Sequence, residues 1–118
     1  MPERYEQVQR EEQEQRDLNP NRVDEERHAR QEAEFRLRER RIQVTPADTD
    51  EEVADLLEAI ERFETAVEAR GGDLFVDRIG SPEPQDPAFV PPERQPGERA
   101  GAYRRRIEAA AGHLRRKP

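Results

Sequence analysis

The residues best suited to metal chemistry are three acids that alternate just before an apolar run: Asp48, Asp50 and Glu52. Alternating carboxylates of this kind begin the calcium-binding loop of an EF-hand. That loop also needs a glycine at its sixth position and a bidentate glutamate at its twelfth, and here Val53 and Ala59 hold those positions. We therefore interpret the three acids as favourable charge at the N-terminus of a helix.

Other reactive groups are too few or too isolated to form a site. His28 and Glu32 have the i,i+4 spacing of a metal-binding pair, but two ligands do not make a metal site, so a solvated histidine is the alternative interpretation. Ser81 is the only serine, and no histidine lies near it in sequence. The Gly71-Gly72 pair lacks the lysine of a phosphate loop, and the chain has no cysteine. The sequence thus predicts a protein that is not an enzyme, with no cofactor, no metal and no small-molecule substrate.

The stretch RIQVTPADTDEEVADLLEAI, residues 41–60, resembles the strand-then-helix ending of some pyridoxal-phosphate aminotransferases. Those enzymes hold their cofactor through a lysine, and the only lysine here is Lys117. The resemblance does not imply the activity.

The composition lies on the border between globular and disordered chains. Leu, Ile, Val and Phe together number 21 of the 118 residues, while 42% of residues are charged. Ten of those 21 fall between Val53 and Ile79, so we expect a local core in one domain. No apolar run has the length of a signal peptide or a membrane span, which predicts a cytoplasmic protein or a component of a viral or phage particle.

Residues 45–80 contain the clearest helix. Thr45-Pro46 can begin it, and Thr49 with Glu52 forms a second possible capping box. Gly71-Gly72 can end it through a left-handed C-cap, so we predict a helix over about residues 47–70. Its large apolar side chains form one stripe at helical spacing: Val53, Leu56, Leu57, Ile60, Phe63 and Val67.

The flanking segments are predicted from charge and proline content. Residues 1–44 form a charged helical arm, broken at Asn19-Pro20, in which Asn21 caps the second half and Glu-to-Arg pairs at i,i+4 support it.

Residues 73–79 form a short extended segment that could pair with a strand at 41–45. Residues 81–97 contain six prolines and form an extended linker, with Phe89 and Val90 either packed locally or serving as a docking peptide. Residues 98–118 form a basic C-terminal helix.

The overall fold prediction is a small, mainly α-helical protein whose stripe needs a second surface. That surface is the segment at 73–79, the sparse apolar residues of the flanking helices, or the same stripe on another copy of the chain. Exposed stripes of this kind normally mark interfaces. We therefore predict a non-enzymatic protein-protein interaction or assembly protein, such as a coiled coil or other oligomer, that completes its core by helix packing with itself or a partner. The predicted interface consists of Val53, Leu56, Leu57, Ile60, Phe63, Val67, Phe75 and Val76.

Charge suggests an alternative. The net charge is −7, yet residues 98–118 carry seven bases and two acids, and residues 45–80 carry three bases and eleven acids. The tail could contact nucleic-acid phosphates through Arg104, Arg105, Arg106, Arg115, Arg116 and Lys117. Few aromatic residues and an acidic remainder argue against nucleic acid. Docking of the tail on the acidic segment of its own or a neighbouring chain is the preferred interpretation.

Overall fold

The computed structural model describes residues 20–116, and within that range the protein is mainly α-helical and has no β-strand. The helices are α1 (Pro20–Glu39), α2 (Asp50–Ala69) and α3 (Ala100–Arg116), with a short 3₁₀ turn at Pro87–Phe89. The predicted mainly-α class is confirmed. Contacts divide the chain into two units, one up to Gln31 and one from Glu32 onward. The helix expected before Asn19 lies outside the described residues.

Helix α1 includes Pro20, so it extends at least two residues beyond the start expected after an Asn21 cap. The prediction that Asn21 caps this helix is therefore wrong, since Asn21 lies inside it. Two of the predicted i,i+4 ion pairs are present, Arg36 with Glu32 at 2.8 Å and Arg38 with Glu34 at 3.3 Å.

The end of α1 is a Schellman motif. The amide of Ile42 donates to the carbonyl of Leu37 at 2.9 Å, and that of Arg41 donates to the carbonyl of Arg38 at 2.9 Å. Arg41 holds the left-handed position with φ 62°, where glycine is usual. Leu37 and Ile42 are both fully buried, so this turn directs the chain back into the core.

Helix α2 has both predicted caps. Thr49 Oγ1 accepts from the amide of Glu52 at 3.1 Å, and the Glu52 carboxylate accepts from the amide of Thr49 at 2.9 Å, which is a complete capping box. At the other end Gly71, with φ 81°, closes a second Schellman motif in which the amide of Gly72 donates to the carbonyl of Val67 at 2.9 Å.

The surface that covers the α2 stripe is α3. Helix α3 buries one face of its own, and the two faces pack together with a few residues from α1 and the α1–α2 connection. The chain therefore has enough apolar residues to cover its stripe, contrary to expectation. Each large side chain buried this way contributes roughly 1.5–3 kcal/mol. The buried side of α3 consists of Ala100, Tyr103, Ile107, Ala111 and Leu114.

Helices α2 and α3 run in the same direction. Their N-terminal ends border a common cleft that includes Ala47 and Ala100. Near their C-terminal ends Arg70 Nε donates to the carbonyl of Leu114 at 2.9 Å. A parallel pair needs a long return connection, and residues 70–99 supply it.

The return connection contains turns where a strand was predicted. At residues 73–79 the amides of Val76 and Asp77 both donate to the carbonyl of Asp73, at 3.0 and 2.7 Å. The prediction that 73–79 is an extended segment is therefore wrong, and its possible pairing with 41–45 does not occur, because neither segment is a strand. Aspartate side chains that bind nearby amides favour turns over strand pairing.

Residues 81–97 pack against the core where an open linker was expected. Pro91 is buried, and Phe89 is partly buried beside Val67 and Gly72. A side chain at Gly72 would place its Cβ 2.3 Å from Val67 Cγ1. The hydroxyl of Tyr103 donates to the carbonyl of Pro92 at 2.8 Å, which ties this segment to α3.

No helix within residues 20–116 is both long and apolar enough to cross a bilayer.

Candidate functional site

The most exposed large apolar side chain of the described residues is Phe75. It is 85% exposed, compared with 61% for Phe35 and 57% for Val23. Single exposed apolar residues are common on protein surfaces and by themselves indicate nothing. The significance of Phe75 depends on how the chain around it is held.

A buried carboxylate braces the turn that carries Phe75. Asp77 is 2% exposed, and its two oxygens accept from the amides of Asp73 at 3.0 Å and Gln85 at 2.6 Å. Asp73 in turn accepts from the amide of Phe75 at 2.9 Å. The Asp77 carboxylate therefore joins the start of the turn to the proline-rich segment and fixes the backbone on both sides of Phe75.

Apolar residues beside Phe75 hold the turn on the core. Leu74 packs against the core and Ile79 is 5% exposed, so the chain is anchored before and after the exposed ring. Gly80, with φ 83°, follows directly, and a Cβ there would lie 2.3 Å from the guanidinium of Arg41. The turn thus holds the backbone around Phe75 in a fixed place.

The structure separates the predicted interface residues into two sets. Phe75 is exposed, while Val76 and Leu57 are half-buried. An interface through the others would require α3 to leave α2, because the chain covers them itself. The buried set is Val53, Leu56, Ile60, Phe63 and Val67.

The strongest polar cluster is centred on Arg94. Its guanidinium donates to both carboxylate oxygens of Asp48 at 2.8 and 2.9 Å, to the carbonyl of Gln43 at 2.9 Å and to the carbonyl of Glu98 at 2.9 and 3.1 Å. The Arg94 and Asp48 side chains are each 6% exposed. The Arg94 hydrogen bonds lower the pKa of Asp48 to about 2, and the same bonds raise the pKa of Arg94. We call this group the Arg94 clasp.

The clasp forms part of the wall of a cleft of about 540 Å³ at the N-terminal ends of α2 and α3. Two of its charged side chains are held by other groups of the chain: Arg94 pairs with Asp48, and the Glu52 carboxylate accepts from the amide of Thr49. Among the described residues every buried side-chain nitrogen or oxygen has a hydrogen-bond partner. The cleft therefore presents no buried polar group without a partner.

The described part of the chain contains no cluster of three histidines or carboxylates placed to hold a metal ion. Asp48, the first of the alternating acids, is instead committed to Arg94.

The basic residues of α3 fall into paired and exposed groups. Arg104 pairs with Glu108 at 2.9 Å. Arg106 binds Glu98 at 2.6 Å and stacks over the ring of Tyr103 at 5.5 Å. The Arg106 contact lowers the pKa of Glu98 to about 2, and burial raises the pKa of Tyr103 to about 12. Of the other predicted phosphate contacts, Lys117 lies outside the described residues, and the exposed ones are Arg105, Arg115 and Arg116.

Sequence reasoning missed Arg94 and Asp77. Arg94 is the only base in residues 81–97, and its isolation among prolines was the one sequence feature that set it apart. Asp77 gave no such signal, because it lies in a segment that resembled a strand.

Comparison of the chain with protein-family models, with characterised proteins and with solved structures found no match.

Proposed function

We propose that this chain is a non-enzymatic protein-protein interaction protein and that Phe75 anchors its partner. One observation carries the proposal: Phe75 is 85% exposed on a turn that a buried carboxylate holds in shape. Burying an Asp carboxylate costs free energy unless the carboxylate is well hydrogen-bonded. The buried Asp77 carboxylate has two backbone amide donors, and these hydrogen bonds fix the surface turn.

Aromatic side chains are suited to this role. A ring that enters a pocket of a partner removes a large apolar area from water, and a few such residues carry most of the affinity of an interface. Because the backbone on either side of Phe75 is already fixed, little conformational entropy is lost on binding. The partner therefore needs an apolar pocket that accepts one phenyl ring.

The proposal keeps the predicted class of function and changes its mechanism. Sequence reasoning assigned binding to the α2 stripe, whereas the stripe is occupied by α3. Phe75 and the half-buried Val76 are the members of that predicted interface outside α2.

The test is site-specific photo-crosslinking in the native host. A photoreactive benzoylphenylalanine replaces Phe75 in one variant and the exposed Phe35 in a matched control. We expect discrete crosslinked species from position 75 and none of the same mass from position 35. Excess unlabelled wild-type protein should suppress the position 75 products, and Phe75→Ser protein should not.

Crosslinking at position 75 that does not exceed the position 35 background would contradict the proposal. Circular dichroism of Phe75→Ser supplies the folding control, because an 85% exposed side chain contributes little to the core.

Nucleic-acid binding is the second candidate, supported by the exposed Arg105, Arg115 and Arg116. The acids of α2 would repel the same phosphate backbone. Fluorescence anisotropy with a labelled oligonucleotide tests it, since phosphate binding must weaken steeply as salt rises. Salt-insensitive or absent binding eliminates this candidate.

A further inference from the structure

The outer face of α2 is acidic. This helix contains eight acids and one base, and the base, Arg62, pairs with Glu58. The exposed acids recur at helical spacing opposite the buried stripe, and small side chains, Ala54 and Thr65, lie among them. The face is defined by Glu51, Glu58, Glu61 and Glu68.

The outer face of α3 is basic. This helix contains five arginines and one acid, Glu108, which Arg104 binds. Arg105 and Arg116 are exposed at helical spacing opposite the buried side, and the exposed Ala109 and half-buried Gly112 lie between them.

These two faces cannot meet within one copy of the chain. Helices α2 and α3 pack through their apolar sides, so the charged faces lie on opposite sides of the helix pair. A second copy can bring them together, because the α3 face of one molecule can approach the α2 face of another.

The spacing of the charges fits such a contact. Arg105 and Arg116 are eleven residues apart, about 16 Å along the helix axis. Glu58 and Glu68 are ten residues apart, about 15 Å along theirs. Thr65 lies between the two glutamates, and Ala109 and Gly112 lie between the two arginines, so small side chains separate the charges on both helices.

We propose that this chain associates with further copies of itself, with the basic outer face of α3 on one copy bound to the acidic outer face of α2 on the next. The contact joins two different surfaces, so each added copy leaves one face of each kind open and the assembly can extend. It does not involve Phe75 and goes beyond the function proposed above. Because the charges are exposed, the association is weak and sensitive to salt.

The first test is the weight-average mass of the full chain by sedimentation equilibrium. At low ionic strength the mass should rise with protein concentration above the 13.8 kDa of one chain. In about 0.5 M salt, where the Debye length is a few ångströms, it should return to that of one chain. A mass of one chain at every concentration in low salt, or a rise that salt does not alter, would overturn the proposal.

Charge reversal identifies the faces. One variant carries Arg105→Glu with Arg116→Glu, and a second carries Glu58→Arg with Glu68→Arg, the two acids whose spacing matches the arginines; circular dichroism checks that loss of the exposed Glu58–Arg62 pair leaves this variant folded. Each alone should need at least tenfold more protein to associate. An equimolar mixture should recover association, because the acidic α3 of one variant then faces the basic α2 of the other.

The matched control is Arg27→Glu with Arg78→Glu, which makes the same change in net charge at exposed positions outside both faces. If this control loses association as strongly as the α3 variant, net charge rather than the faces is responsible and the proposal fails. A mixture of the two reversed variants that stays monomeric, with circular dichroism showing both folded, also rejects it. Phe75→Ser should associate like the wild type, so this test and the crosslinking test fail independently.

Discussion

A single arginine joins the proline-rich segment and the residues just before α3 to the α1–α2 connection, whose Asp48 is 46 residues away in sequence. Arg94 binds the α1–α2 connection through Gln43 and Asp48 and the start of α3 through Glu98. Only arginine provides five donors in a planar fork, so lysine could not replace this set of contacts. The clasp therefore depends on the shape of the side chain as well as its charge.

The substitution Arg94→Met leaves the Asp48 carboxylate buried without its counter-charge. It should lower the free energy of unfolding by about 3 kcal/mol or more at pH 7. The pKa of Asp48, about 2, lies below its ordinary value of 3.8, so the carboxylate contributes stability above about pH 4 that is lost as the pH falls towards 2. The lowered pKa corresponds to about 2 kcal/mol. Urea unfolding at pH 7 and at pH 2.5 should show the difference between wild type and variant shrinking by about this amount.

The milder substitution Asp48→Asn keeps the shape of the pair and removes its titration. It should reduce, without abolishing, the loss of stability between pH 4 and pH 2, because Glu98 also has a pKa of about 2. An equal gap between wild type and Arg94→Met at both pH values would show that the ion pair is not the source of the effect.

Two of the helices end in the same motif with different residues at the same position. The left-handed position is Gly71 after α2 and Arg41 after α1. A residue with a Cβ is strained in this conformation by about 1 kcal/mol, while glycine is not. Substitutions at Arg41 and Gly71 therefore test how much this backbone strain costs.

We expect Arg41→Gly to raise the free energy of unfolding by up to about 1 kcal/mol and Gly71→Ala to lower it by a similar amount. The second change is purely a backbone effect, since nothing lies within 4 Å of a Cβ at Gly71. Denaturant unfolding of both variants measures the two changes in the free energy of unfolding.

If Arg41→Gly were destabilising, the packing of the Arg41 side chain over Gly80 would outweigh the strain that the substitution relieves.

Within residues 32–116 the core is organised around one parallel helix pair. Ile107 is fully buried in α3, and the α2 side chains that it helps to cover have no other comparable surface. Ile107→Ala should cost about 2–5 kcal/mol, the range for large apolar truncations in a core. Chemical unfolding monitored by circular dichroism should remain a single transition at lower denaturant, since α2 and α3 share their core.

Arg105→Ala is the control on the same helix and should change stability by less than about 0.5 kcal/mol. If Ile107→Ala were equally mild, α3 would be a peripheral element and not half of the core.

Helix α2 and its caps could be predicted from sequence because they depend on neighbouring residues. The capping box at Thr49 and the glycine end at Gly71 use contacts within five residues, and both are present. The apolar side of α3 was also visible, but its partner was not, since a 30-residue connection allows many placements. Arg94 and Asp48 are 46 residues apart, so their pairing required the tertiary fold. Phe75 was predicted as an interface residue, while the turn that presents it depends on Asp77 and Gln85, eight residues apart.

The prolines of residues 81–97 have a consequence for the cost of ordering this chain. Six of these seventeen residues carry no backbone N–H, so the segment has fewer donors to satisfy when it packs against the core. Proline rings also restrict the unfolded chain, so less backbone freedom is lost when the segment becomes ordered. A protein with so few large apolar side chains can thereby hold a long irregular segment in place, because that segment opposes folding less than an ordinary loop of equal length.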